Sequence, residues 1–198
     1  MTEHGRRNLS AERQTEILAA FKRCIVEHGL DKSSMRLVAA EAGVSQPLLA
    51  HHFGSRAGLV QALVRHVVDE YDDALALALE RLSQEGGAEV LLEYLFGGPY
   101  SEVSKRDDML FTELDAAAMR DPAIRTQLAK AYARYQHILA SHLRKTCPKA
   151  KATECRRVAY GLMCLAEMNE LFRAYDLPGR RSRDALESGR VLIDSLPG

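Results

Sequence analysis

The chain has 198 residues, 46% of them hydrophobic, and 27 Lys plus Arg are balanced by 27 Asp plus Glu. Zero net charge excludes a uniformly basic nucleic-acid binder, and the hydrophobic content excludes an intrinsically disordered chain. No apolar run approaches the roughly 18 residues of a membrane span, and Met1-Thr-Glu-His-Gly-Arg-Arg is not followed by the apolar segment of a secretion signal, so the cytoplasm is the expected location.

Charge is unevenly spread. Residues 1–58 carry eight basic and six acidic side chains, and residues 59–198 carry 19 and 21. Arg6 and Arg7 are expected on an N-terminal arm. Cys24, Cys147, Cys155 and Cys164 show neither a C-x-x-C pair nor a metal spacing, which predicts buried, reduced thiols. No cofactor or metal is expected.

The apolar spacing predicts an all-α protein of about nine helices. Ile17, Leu18, Phe21, Cys24 and Ile25 recur at helical steps over Ala11 to Glu27, with Ser10 placed to cap the helix and Gly29 to end it. Two short helices follow, at 34–42 and 46–53, joined at Gly43-Val44-Ser45. A long one begins after Ser55 and runs to about Leu82; Glu85-Gly86-Gly87 breaks the pattern. Ala88 to Phe96 is helical, and Gly97-Gly98-Pro99 opens a loop of roughly ten residues. Helices then occupy Asp107 to Met119 and Asp121 to about Lys145, the latter with Asp as N-cap and Pro in its first turn. Lys151 to Tyr175 and Arg183 to Leu196 complete the chain.

Residues 33–58 carry the functional signal. Ser34 and Ser45 suit helix N-caps, Ala39 lets a neighbouring helix cross closely, and Gly43 permits the tight turn. Val44, Leu49 and Phe53 fill the wedge between the short helices. Gln46, Pro47, Leu48, Ala50, His51 and His52 then point outward from a helix narrow enough for a major groove. Gln bonds adenine edges, and Leu or Pro meets a thymine methyl. Arg36 and Arg56 begin helices, where basic side chains and backbone N–H groups together face phosphates.

The run Val38-Ala39, Ala42-Gly43-Val44-Ser45, Leu49, His52-Phe53 and Ser55-Arg56-x-Gly-Leu59 resembles the DNA-binding domain of the TetR (tetracycline-repressor-like) family of bacterial regulators. The resemblance covers about residues 11–62. It implies base-reading positions at Arg36, Gln46, Pro47, Leu48 and His51, and phosphate contacts at Ser34, Ala50, His52 and Arg56. The family usually has Tyr where this chain has Ala50, so one phosphate hydrogen bond is missing. Ala50-His51-His52-Phe53 is also similar to the choline-sensing repressors of the betaine pathway.

The resemblance further implies a helix-turn-helix domain at 1–58 and a ligand-binding and dimerisation domain at 59–198. It implies a homodimeric repressor released from a palindromic operator by a small effector. In the larger domain, Leu162, Leu165 and Phe172, with Leu186, Gly189 and Ile193 of the last helix, suit a dimer interface. Asn169 admits two roles, a register-fixing hydrogen bond at that seam or a ligand contact. Tyr94, Phe96, Phe111, Asp115, Tyr132, Tyr135 and Met163 are candidate pocket residues. The chain has no Trp, the strongest ring for a cation–π cage.

Enzyme signatures are missing: there is no G-x-S-x-G, H-E-x-x-H or Walker loop. His51 and His52 diverge by about 100° on a helix, which is poor metal geometry. The reading is therefore a DNA-binding regulator rather than an enzyme. The alternative is a helical small-molecule-binding or adaptor protein without specific DNA binding.

Overall fold

The computed structural model describes the backbone of residues 3–85, 87–96, 100–175 and 181–197, and the side chains of these residues except for 3–10, 72, 74–85, 88, 100–108, 173, 174 and 181. Among the described residues there are nine α-helices and no strand: α1 Glu3–His28, α2 Met35–Glu41, α3 Gln46–Phe53, α4 Arg56–Glu85, α5 Gly87–Phe96, α6 Tyr100–Ala118, α7 Pro122–Thr146, α8 Ala152–Ala174 and α9 Arg181–Asp194. No helix of the described residues is long and apolar enough to cross a membrane.

Most helix ends follow local chemistry. Gly29 closes α1 at φ 82°, with its N–H on the Ile25 carbonyl at 2.7 Å. Asp121 begins α7 by accepting the N–H of Ala123 at 2.8 Å, with Pro122 in the first turn. Two starts differ from expectation. Helix α1 begins at Glu3, so Ser10 lies inside it rather than capping it. Arg6 and Arg7 likewise fall within α1 instead of forming an arm, and their side chains lie outside the described residues. Helix α6 begins at Tyr100, because Tyr100 to Arg106 contains no Gly or Pro to hold a loop open. Residues 97–99 and 176–180, where loops were expected, lie outside the described residues.

Two compact units divide the chain. The first contains residues 1–69 and 109–128. Ile17, Leu18, Phe21, Cys24 and Ile25 are its buried α1 positions, at the spacing the sequence prescribes. Helix α2 packs on α1 and α3, with Val38 and Ala39 as its buried residues.

The second unit holds residues 70–108 and 129–198. Helix α9 packs on α5 and α8. Its core includes Leu91, Leu92, Leu95 and Phe96 of α5, Leu139 and Leu143 of α7, Cys155, Ala159, Leu162 and Ala166 of α8, and Ile193 of α9. Arg190 grips Glu89 with two N–H···O bonds of 2.8 and 2.6 Å, and the guanidinium holds that carboxyl below its ordinary range. Burial and nearby Lys145 push the His142 imidazole below its ordinary value, so it stays neutral in the interior.

All four cysteines are free. Cys24 and Cys155 are buried, and burial pushes both thiols up. Cys147 is half-buried. Cys164 departs from the expectation of buried thiols, because it is exposed on α8 beside Tyr160, whose phenol is pushed up by a hydrogen bond to it.

Candidate nucleic-acid interface

Three short-range constraints build the head. The first is the α2–α3 turn. Gly43 has φ 64°, its N–H reaches the Ala40 carbonyl at 3.2 Å, and Val44 N–H reaches Ala39 at 2.9 Å. These two bonds form a Schellman closure, which a side chain at Gly43 would strain. The second is capping. Ser34 Oγ accepts the N–H of Leu37 at 3.2 Å, and Ser45 Oγ accepts that of Leu48 at 3.3 Å. Pro47 occupies the first turn of α3, where no N–H is needed. The third is Leu49, the one residue of α3 that is fully buried. Val44 and Phe53 are half-buried beside it rather than enclosed.

This anchoring fixes which face of α3 is outward. Gln46, Pro47, Leu48 and His51 are exposed, and Ala50 and His52 are half-exposed. Leu48 keeps 37% of its surface in water, a large apolar exposure for so short a helix. The rings of His51 and His52 meet edge to face with centroids 5.7 Å apart. Arg36 is exposed at the start of α2. Ser34, Arg36, Ser45, Gln46, Pro47, Leu48, His51 and His52 thus lie on or at the ends of α2 and α3.

Arg56 stands apart from that set. It begins α4, is half-buried, and its Nη2 donates to the Leu30 carbonyl at 2.5 Å. Two residues absent from the sequence reading lie behind it: Leu30, which Arg56 touches, and Glu113, which holds the Leu30 amide. Glu113 lies 83 positions from the Leu30 amide it accepts, at 2.9 Å. Nothing in the linear pattern marks that pairing.

The other expected residues separate. Tyr94, Tyr132 and Tyr135 are half-buried against the second unit's core, whereas Phe96 and Met163 belong to that core. Tyr132 Oη lies 3.5 Å from Glu167 Oε2. Phe111 and Asp115 are half-buried and belong to the first unit.

The residues expected at a dimer interface differ in burial within the chain. Leu162, Asn169, Gly189 and Ile193 are turned into the second unit's own interior. A Cβ on Gly189 would lie 2.8 Å from Leu92, 2.9 Å from Phe96 and 3.2 Å from Leu162, all of the same chain. Leu165 and Leu186 are half-buried, and Phe172 is exposed. The most apolar stripe of α8 is consumed by packing on its own protomer. Asn169 is 4% exposed, and both polar atoms of its amide lack a hydrogen-bond partner among the described residues.

A capped helix pair with one anchoring leucine and an exposed Gln-Pro-Leu face has the form of a helix-turn-helix. Residues 17–63 match the family of bacterial regulatory proteins described as the tetR family. The HTH-type transcriptional regulator BetI of Escherichia coli O45:K1 (strain S88 / ExPEC) is 28% identical over 157 residues, 78% of each chain. A TetR-family transcriptional regulator from Mesorhizobium loti MAFF303099 superposes with a TM-score of 0.80 at 18% identity over the whole of both chains. A transcriptional regulator from Saccharomonospora viridis, solved in complex with choline, gives 0.76 at 18% identity over 93% of this chain and 96% of that one. The chain is thus similar over residues 17–63 to the tetR family of bacterial regulatory proteins, and over 78% of its length to an HTH-type transcriptional regulator.

Proposed function

We propose that the chain is a cytoplasmic, non-enzymatic, homodimeric repressor that binds a palindromic operator and leaves it when a small effector binds. The observation that carries this reading is the outward face of α3, fixed by the Ser45 cap and the Leu49 anchor. Residues 1–58 act as the DNA-binding domain and residues 59–198 as the sensing and dimerising one. Gln46, Pro47, Leu48, His51 and Arg36 read bases. Ser34, His52 and Arg56 hold phosphates, and Ser45 sets the pitch of α3.

Dimerisation uses the outer surface of α8 and α9. Tyr160, Cys164, Met168 and Phe172 recur every four residues as an exposed stripe, and Val191 on α9 is 70% exposed. Two such faces related by a two-fold axis bury this stripe and hold two copies of α3 about 34–36 Å apart, one helical turn of DNA. Helix α4 contributes residues to both units, so an effector that favours one tilt of α4 changes the spacing of the heads.

Selection of duplexes from a randomised pool tests the DNA reading. The wild type is expected to enrich a two-fold symmetric sequence. Gln46→Ala is expected to relax preference at one symmetric pair of positions, by about 1–3 kcal/mol of discrimination per site. Equal selection by both proteins would remove Gln46 from the reading face.

The choline bound by the Saccharomonospora viridis regulator makes a quaternary ammonium the effector to test first. Here tyrosine rings replace Trp, and the Tyr132–Glu167 pair puts a carboxylate beside one of them. Choline is expected to release the selected duplex and raise Tm, by about 2.7 kcal/mol of stability at a hundredfold excess over its Kd. The uncharged isostere 3,3-dimethylbutan-1-ol is expected to do neither. Release by both, or by neither, would contradict a cationic site.

A further inference from the structure

Four hydrogen bonds converge on the turn between α1 and α2. Leu30 N–H donates to Glu113 Oε2 of α6 at 2.9 Å. The carbonyl of the same peptide group, Gly29 O, accepts the Ser33 hydroxyl at 2.8 Å. On the next peptide, Leu30 O accepts Arg56 Nη2 at 2.5 Å and Ser33 N–H at 3.2 Å. Ser33 is fully buried and Leu30 nearly so, which fixes the turn within the head.

The arrangement has a direction. A hydroxyl on the Gly29 carbonyl and a carboxylate on the Leu30 N–H polarise one peptide group in the same sense, so each bond strengthens the other. Bonds to a charged partner are the strong members of such a set. The carboxylate also lies close against Gly29, where a Cβ would sit 3.7 Å from Oε1. Glu113 therefore determines where the Leu30 peptide stands, and the Leu30 carbonyl determines where the Arg56 guanidinium stands. A guanidinium carries five donors, so holding one carbonyl leaves capacity for a phosphate.

We infer that Glu113 is a positioning residue for DNA binding: through the Leu30 peptide it sets the place of Arg56 at the start of α4, beside the end of the reading helix. The inference rests on the DNA-binding reading above.

The test compares wild type, Glu113→Ala, Glu113→Asp and Glu113→Gln on the duplex that the wild type selects, at a temperature where circular dichroism shows each protein folded. In Glu113→Ala, exchange of the Leu30 amide is expected to quicken about tenfold. Affinity should fall roughly five- to tenfold on matched and mismatched duplexes alike, and the slope of log K against log salt should drop by about one. Glu113→Asp, too short by one methylene, should show the same changes in lesser degree and decides the matter if the alanine variant does not fold. Glu113→Gln retains an acceptor and should stay near wild type. Unchanged affinity and salt slope in the folded alanine or aspartate variant would overturn the inference, as would an affinity loss without a change of slope. A wild type that retains no duplex at low salt would instead overturn the DNA-binding reading, and this inference with it.

Discussion

Leu49→Ala is expected to cost about 3 kcal/mol and to abolish sequence-specific DNA binding while leaving the second unit folded. Helix α3 has eight residues, too few to be stable alone in water. Its caps satisfy backbone groups at its ends but do not attach it to the head. Leu49, fully buried, is the side chain that does. Removing its distal carbons leaves a cavity under the helix and no other buried α3 side chain to replace the contact. The outward residues Gln46, Leu48 and His51 would then be presented by an unanchored segment. Two-probe melting checks this. A transition reported from α1–α3 should move down, while one reported from α8–α9 should stay. Specific affinity should fall at temperatures where both units remain folded. A Leu49→Ala protein that binds with wild-type specificity would show that α3 is held by something else.

Gly189→Val should damage the other unit to a comparable extent, by about 2–3 kcal/mol. Gly189 lies on α9 where α5 and α8 meet it, and even a Cβ would press on Leu92, Phe96 and Leu162. All three neighbours are buried, so their rotamers have little room to yield. The alanine variant is the informative control. Its single methyl presses on the same three buried side chains, and the roughly 1 kcal/mol of helix propensity that Ala gains over Gly offsets only part of that strain. Gly189→Ala should therefore be mildly destabilising and Gly189→Val clearly more so, with Tm of the second unit as the readout. Equal tolerance of both would mean that α9 can move away from α5.

The contrast between these two sites reflects what a sequence can reveal. The head is legible because its determinants are local. Ser34, Gly43, Ser45 and Pro47 each act within a few residues of themselves, and Leu49 marks the buried face of a short helix by its position alone. The order of nine helices is legible for the same reason, through apolar spacing. The start of α1 is not, since Ser10 offers capping chemistry that the preceding residues, already helical, do not use. The beginning of α6 was hidden behind Gly97-Gly98-Pro99, whose loop signal says where a helix stops and not how soon the next begins.

Long-range choices stay out of reach. The α8 stripe of Cys155, Ala159, Leu162 and Ala166 is the most apolar one, and apolarity alone cannot say whether a protomer's own α5 and α9 or a second copy covers it. The structure assigns it to the protomer, which leaves the mixed stripe of Tyr160, Cys164, Met168 and Phe172 outward. Glu113 is the extreme case: a carboxylate among several on an amphipathic helix, distinguished only by the amide it reaches 83 residues away. The balanced net charge conceals the electrostatics in a similar way. Arg36 and Arg56 stand at helix starts in the head, and a modest basic surface of this kind favours a dimer, whose two half-sites act together, over a lone monomer.

Footprinting on a duplex selected from a randomised pool tests the central claim most directly. The account predicts two protected half-sites related by a two-fold axis, with centres one helical turn apart, and preference relaxed at one base position in each half when Gln46 becomes Ala. No duplex retained at low salt, or a footprint that Gln46→Ala leaves unchanged in sequence preference, would contradict it.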